Sequence, residues 1–150
     1  MQTRRGSTLK GVITISLMVV NVVFWVPILL VVALAKLIIP LAAWRRWTSA
    51  LMIWIAQAWI SCNGAIFGLM GALRLEVEGV AGLDPRGWYL VLSNHRSWVD
   101  ILVLQQAFNR RIPFLKFFLK QELIWVPFLG LAWWALDFPF MKRHSATYLQ

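Results

Sequence analysis

The sequence predicts an α/β protein in two parts: an N-terminal hairpin of two membrane helices, then an α/β domain with a largely parallel sheet. Three observations carry this. Gly11–Ala35 and Trp47–Leu73 contain no charged residue. No acid occurs before Glu76, where the composition changes. From there, apolar runs of strand length alternate with runs of helix length, broken by glycine and proline, which is the pattern of parallel α/β sheets. The boundaries that follow are a basic segment at 1–10, the hairpin at 11–72 and the α/β domain at 73–150.

Composition agrees. Of 150 residues, 60% are hydrophobic and 14% charged, against about a quarter charged in soluble domains. The net charge of +9 comes from 15 basic and 6 acidic residues spread along the chain. Spread charge beside so much apolar sequence selects anionic lipid head groups over nucleic acid as partner. The 10 tryptophans suit a membrane interface. The single cysteine, Cys62, excludes an internal disulfide and, in an apolar run, reads as a small core residue. With 2 histidines and scattered carboxylates there is no metal-ligand spacing, so no metal is expected.

Met1–Lys10 is polar, with Arg4, Arg5 and Lys10. Gly11–Ala35 is too long for a signal peptide and lacks its small-residue end. About 20 residues cross the bilayer hydrocarbon, so the run is long enough to span, with a kink expected at Pro27. Lys36, Pro40 and Trp44-Arg45-Arg46-Trp47 mark a turn. Within Trp47–Leu73, Gly64 and Gly68 permit close helix contact. Basic clusters at both ends of the first run suit a shallow one-leaflet hairpin as well as a spanning one, and the depth stays open.

Leu73–Glu78 alternates apolar and charged residues and is expected to be a half-buried strand. Gly79, Gly82 and Asp84-Pro85-Arg86-Gly87 are turn chemistry. Trp88–Leu92 is expected to be a buried strand, followed by a turn and a helix to about Phe108, ended by Arg110-Arg111-Ile112-Pro113. A strand at Phe114–Phe118, a short helix at Gln121–Trp125, a helix at Gly130–Leu136 and a strand at Phe138–Met141 complete the pattern.

The chemistry is expected in the turn Ser93-Asn94-His95-Arg96-Ser97-Trp98-Val99-Asp100, the one place where a titratable base and a carboxylate lie close together. Positions five apart on a helix diverge by roughly 140°. His95 is therefore placed in the turn, with Asp100 about one turn into the helix and reaching back to the imidazole. A ring steadied that way keeps one tautomer and leaves its other nitrogen free to take a proton. The competing reading is a capping turn with Asn94 or Ser97 as N-cap and His95 incidental.

These residues resemble the glycerolipid acyltransferase family, which includes the 1-acyl-glycerol-3-phosphate acyltransferases. Asn94-His95-Arg96-Ser97-Trp98-Val99-Asp100 is similar to its first signature, Asn-His-x-x-x-x-Asp. Leu119-Lys120-Gln121-Glu122-Leu123 and Pro127-Phe128-Leu129-Gly130 look like the segment that follows. Phe138-Pro139-Phe140-Met141-Lys142-Arg143 looks like the second signature. The resemblance covers roughly Leu73 to Gln150, and its wording is most similar to the branch with lysocardiolipin and lysophosphatidylinositol acyltransferases and bacterial relatives. The third and fourth family signatures are absent, so 73–150 is expected to be the N-terminal part of the catalytic domain, and these 150 residues alone are expected to fall short of full activity.

The resemblance implies a membrane-bound transferase that moves a fatty acyl group from acyl-CoA or acyl-carrier protein, as co-substrate, to the hydroxyl of a lysophospholipid such as lysophosphatidic acid. It needs no cofactor. His95 would be the general base, Asp100 its orienting group, and Arg143, Lys120 and Asn94 substrate-binding residues. Lys142 stands where the family commonly has Asp or Asn, which leaves head-group choice open. A bacterial inner membrane with the catalytic part on the cytoplasmic face is the implied location. Ser97 as nucleophile and a hydrolase using the same dyad are weaker readings, and His144 reads as a loop residue. The alternative of another class is a non-catalytic membrane protein that binds lipid or a partner only.

Overall fold

The structure is a computed structural model that describes residues 2–71, 75–94 and 96–142, with side chains from residue 8 onward. Helix α1 runs Gln2–Ile38 and α2 Ala42–Met70. Both are long and apolar enough to cross a membrane. The 31-residue stretch Thr8–Ile38 makes a rod of roughly 46 Å at about 1.5 Å per residue, beside hydrocarbon about 30 Å thick. α1 continues through Pro27. It stops before Pro40, because a proline disfavours helical backbone in the residue ahead of it.

Each helix buries one stripe. In α1 it is Thr14, Asn21, Val26, Leu29 and Ala33; in α2 it is Thr48, Met52, Ile55, Ala56, Ile60, Asn63 and Phe67. Spacing near the helical repeat of about 3.6 puts each set on one side. Much of the outer surface is apolar, with Ile15, Val19, Val23, Phe24, Val31, Leu34 and Trp54 exposed. The buried hydroxyls are satisfied within their own helices: Thr14 Oγ1 donates to the Lys10 carbonyl and Thr48 Oγ1 to that of Trp44, each at 2.8 Å. A helix that meets no water must satisfy its polar groups in this internal way.

The chain divides into two units. The first comprises Met1–Trp25 and Trp54–Leu115. In it, Asn21 Nδ2 donates to Asn63 Oδ1 at 2.9 Å and to the Trp59 carbonyl at 3.3 Å, joining α1 to α2. Helix α3, Trp98–Phe108, lies on α2. Gln106 Nε2 donates to the Ile60 carbonyl, and Asn109 Nδ2 to Ser61 Oγ at 2.9 Å and the Gln57 carbonyl at 3.4 Å. Gly64 makes room for this, since a β-carbon there would meet the Gln106 amide. Gly68 faces open space, so of the expected pair only Gly64 serves a close contact.

Two expected strands are corrected here. Residues 75–78 and 88–92 run as irregular chain, and Trp88, Leu90 and Leu92 are exposed rather than buried. A strand is held by a neighbour that pairs its N–H and C=O groups, and no described segment pairs with either run. The turn between them forms as its residues predict. Asp84 Oδ1 accepts from the Arg86 N–H at 2.9 Å, the Gly87 N–H reaches the Asp84 carbonyl at 2.9 Å, and the Asp84 N–H reaches the Tyr89 hydroxyl at 2.7 Å.

The second unit comprises Val26–Ile53 and Lys116–Gln150. Trp44 Nε1 donates to the Ala35 carbonyl at 3.0 Å across the hairpin turn. Strands β1, Leu119–Lys120, and β2, Phe140–Met141, pair in parallel, Leu119 opposite Phe140 and Lys120 opposite Met141. The crossover holds a 3₁₀ helix, Gln121–Trp125, and α4, Leu129–Ala135, close to the expected helices. The parallel pairing is as expected. The first strand is displaced: it lies at Leu119–Lys120 rather than Phe114–Phe118, where the Leu119 N–H meets the Pro139 carbonyl at 2.9 Å. Before α4, Phe128 sits at φ 61°, ψ −47° and the Leu129 N–H closes on the Pro127 carbonyl at 2.7 Å, the strained form of the γ-turn. Gly130 is pressed on the Ile124 carbonyl with no space for a β-carbon. Lys36 Nζ lies 3.8 Å from Asp137 Oδ2.

Candidate active site

The site is built at the start of α3. Ser97 is the N-cap, extended at φ −152°, ψ 167°, as a cap residue must be before the chain enters a helix. Asp100 is the third helical residue. Its Oδ2 accepts the Arg96 N–H at 2.6 Å and the Ser97 N–H at 2.7 Å. This is the return half of a capping box. One carboxylate oxygen therefore closes the chain that leaves His95. Two donors converging on it, at the positive end of a helix, favour the charged form.

Of the expected site residues, Asn94 is exposed and Asp100 half-buried, both in the first unit. Lys120 is exposed in β1, in the second unit. His95 and Arg143 lie outside the described residues, as does His144. Of the two candidate caps, Ser97 rather than Asn94 fills that position.

Sequence reasoning missed what holds α3 in place. The amides of Gln106 and Asn109 tie the far end of the helix to α2. The signal was present as polar residues set in or at the end of apolar runs: Gln57, Ser61, Gln106 and Asn109. Beside them a cleft of about 400 Å³ opens, lined by Ser61, Gly64, Phe67, Gln106, Asn109 and Arg111 among others. It lies toward the other end of α3 from Asp100: Gln106 is six residues further, roughly 9 Å along the rod.

Known proteins resemble part of the chain. A stretch of 72 residues, 47% of this chain, is 35% identical to the 1-acyl-sn-glycerol-3-phosphate acyltransferase alpha of Mus musculus and of Homo sapiens, and 33% identical to that of Ovis aries. That stretch is 24% of each relative, so the chain spans about a quarter of the length of the curated relatives it matches. No solved structure matches it significantly. Residues 74–150 match the model of the Acyltransferase family, and the chain belongs to that family.

Proposed function

We propose that this chain carries the first part of the catalytic domain of a membrane-bound acyltransferase, which passes a fatty acyl group from acyl-CoA or acyl-carrier protein to the free hydroxyl of a lysophospholipid such as lysophosphatidic acid. The observation that carries the reading is the grip of Asp100 on the Arg96 and Ser97 N–H groups, the two residues that follow His95. A histidine flanked by a turn held this firmly is suited to general-base work, which requires a ring kept in one place.

In this reading His95 takes the proton of the lysophospholipid hydroxyl while its oxygen attacks the thioester carbonyl. The carbon–sulfur bond breaks, and the thiol of the donor leaves with a proton. Asp100 orients the ring and favours its charged form. Arg143 and Lys120 hold the acceptor's phosphate, for which a guanidinium offers two parallel hydrogen bonds, and Asn94 lines the same turn. α1 and α2 anchor the site at the bilayer, where both the acceptor and the acyl chain reside. The relatives named for 1-acyl-sn-glycerol-3-phosphate support this acceptor.

The test is acyl transfer from acyl-CoA to lysophosphatidic acid in vesicles by a longer form carrying the third and fourth signatures, as the parent, and by its His95→Ala variant. Loss of at least about 100-fold, the lower range of general-base contributions, is the expected result. A variant that keeps the parent rate refutes the role of His95. Lipid binding with no turnover by the parent would instead favour a non-catalytic membrane protein.

A further inference from the structure

Helix α4 is packed inside out. It buries Gly130, Ala132 and Ala135 and leaves Leu131 and Trp134 more than half exposed. A helix on a water-facing domain does the reverse, with large apolar residues inward. The exposed positions continue at the same spacing of three. Trp125 is 84% exposed, Phe128 66%, Leu131 55% and Trp134 52%, which makes one unbroken run of large apolar side chains from the 3₁₀ helix through α4. Phe128 takes its place in that run at φ 61°, a conformation that glycine adopts freely and phenylalanine does not.

Two further observations indicate what covers this run. The first is continuity. Within the same unit, Asp137, two residues past α4, lies 3.8 Å from Lys36 in the last turns of α1. The α1 residues beside that lysine, Leu34, Leu37 and Ile38, are exposed and apolar. The aromatic run therefore ends three residues from a contact with a helix long enough to cross a membrane. The second is charge. Lys116, Lys120 and Lys142 of the same unit are exposed, while of the acids in that unit, Glu122 and Asp137, Asp137 is paired with Lys36. That balance suits anionic head groups. An ion pair is costly in hydrocarbon and tolerated at its edge, so Lys36 and Asp137 mark the depth at which α4 sits. Tryptophan prefers the same depth.

We propose that Trp125, Phe128, Leu131 and Trp134 form a second membrane-contact face, which seats the β1–α4–β2 crossover in the head-group layer of an anionic bilayer beside the hairpin. The inference rests on the reading of α1 and α2 as membrane helices. Its partner is the bilayer itself, rather than a single bound lipid or a second protein.

The test uses the full chain with Cys62→Ala and one added cysteine at a time, labelled with an environment-sensitive fluorophore. The chain is reconstituted in mixed phosphatidylcholine–phosphatidylglycerol vesicles with and without nitroxide lipids. Leu131→Cys and Trp134→Cys probe the face at two independent positions, so misfolding of one variant leaves the other. Leu34→Cys reports on the hairpin and Asp84→Cys on water. The expected result is blue-shifted emission at 131 and 134, most of it lost to nitroxides near the head group, with loss at 34 and none at 84. Loss at 34 without loss at 131 and 134 overturns the second face and leaves the hairpin reading intact. No loss at 34 overturns both. A disulfide between two copies through Trp134→Cys, with the label at 131 shielded from nitroxide, assigns the face to a second copy and also overturns the proposal.

Discussion

Asp100 has one observed duty and, under the proposed function, a second, and one pair of substitutions tells them apart. Its Oδ2 closes the turn by accepting two N–H groups, and in the proposed function its charge steadies the imidazole of His95. Asp100→Asn keeps an acceptor oxygen at the same reach, so the turn survives while the charge is lost. Asp100→Ala removes both. Losing a cap contact costs roughly 0.5–2 kcal/mol, and losing the favourable charge at the helix N-terminus adds about 0.3–1 kcal/mol. Asp100 is half-buried and the two N–H groups lie near solvent, so the lower ends apply. Asp100→Ala should cost about 1 kcal/mol and Asp100→Asn about 0.5 kcal/mol. Neither approaches the roughly 5–15 kcal/mol that holds a domain folded. Both variants should therefore keep parent-like helix content by circular dichroism. Acyl transfer to lysophosphatidic acid, followed by thiol release from acyl-CoA, should nonetheless fall by about 100-fold or more in both. If Asp100→Asn stays within about fivefold of the parent, a factor that 1 kcal/mol explains, Asp100 serves the turn alone and the catalytic assignment is refuted.

Three further outcomes follow from packing. Asn21 and Asn63 are both almost fully buried and bonded at 2.9 Å. A double-mutant cycle with leucine at each should show a coupling near 0.6 kcal/mol and at most about 1.7 kcal/mol, as for other hydrogen bonds between membrane helices; purely additive effects on detergent unfolding contradict the contact. Gly130→Ala drives a β-carbon into the Ile124 main chain, so the unfolding midpoint should fall by an amount equivalent to about 1–3 kcal/mol; an unchanged midpoint rejects the close approach. Phe128→Gly should raise that midpoint by a few degrees. It removes strain of about 1–3 kcal/mol, more than the roughly 0.5–1 kcal/mol of chain entropy that glycine adds; a lower midpoint rejects the strained turn.

The elements that the sequence revealed are those whose cause is local. Absence of charge marks α1 and α2, and Pro40 marks the turn between them. The helices α3 and α4 and the 3₁₀ segment follow from their own apolar runs and from Pro127. The strands are a different matter, because a strand depends on what lies beside it. Trp88–Leu92 has the composition of a buried strand and no described neighbour, and it stands exposed. The first strand lies at Leu119–Lys120 because Pro139 and Phe140 meet the chain there, which Phe114–Phe118 could not reveal. In the candidate site, the expected reach of Asp100 to the imidazole falls on His95, outside the described residues, and its hold on the Arg96 and Ser97 N–H groups is the local capping geometry that a carboxylate at the third helical position supplies. The ties from Gln106 and Asn109 were not legible, because a lone amide in an oily run does not name its acceptor.

Those ties bear on how freely α2 can drift in sequence. Gln106 keys into the Ile60 carbonyl and Asn109 into that of Gln57, and every residue type supplies a carbonyl. The side chain at 57 can therefore change while the two rods stay in register, whereas Ile60 also packs in the buried stripe of α2. The notch is Gly64, where any added carbon pushes the key out. Gly64→Ala should therefore displace the Gln106 amide from the Ile60 carbonyl and leave the Asn109 tie as the remaining side-chain bond described between the two rods.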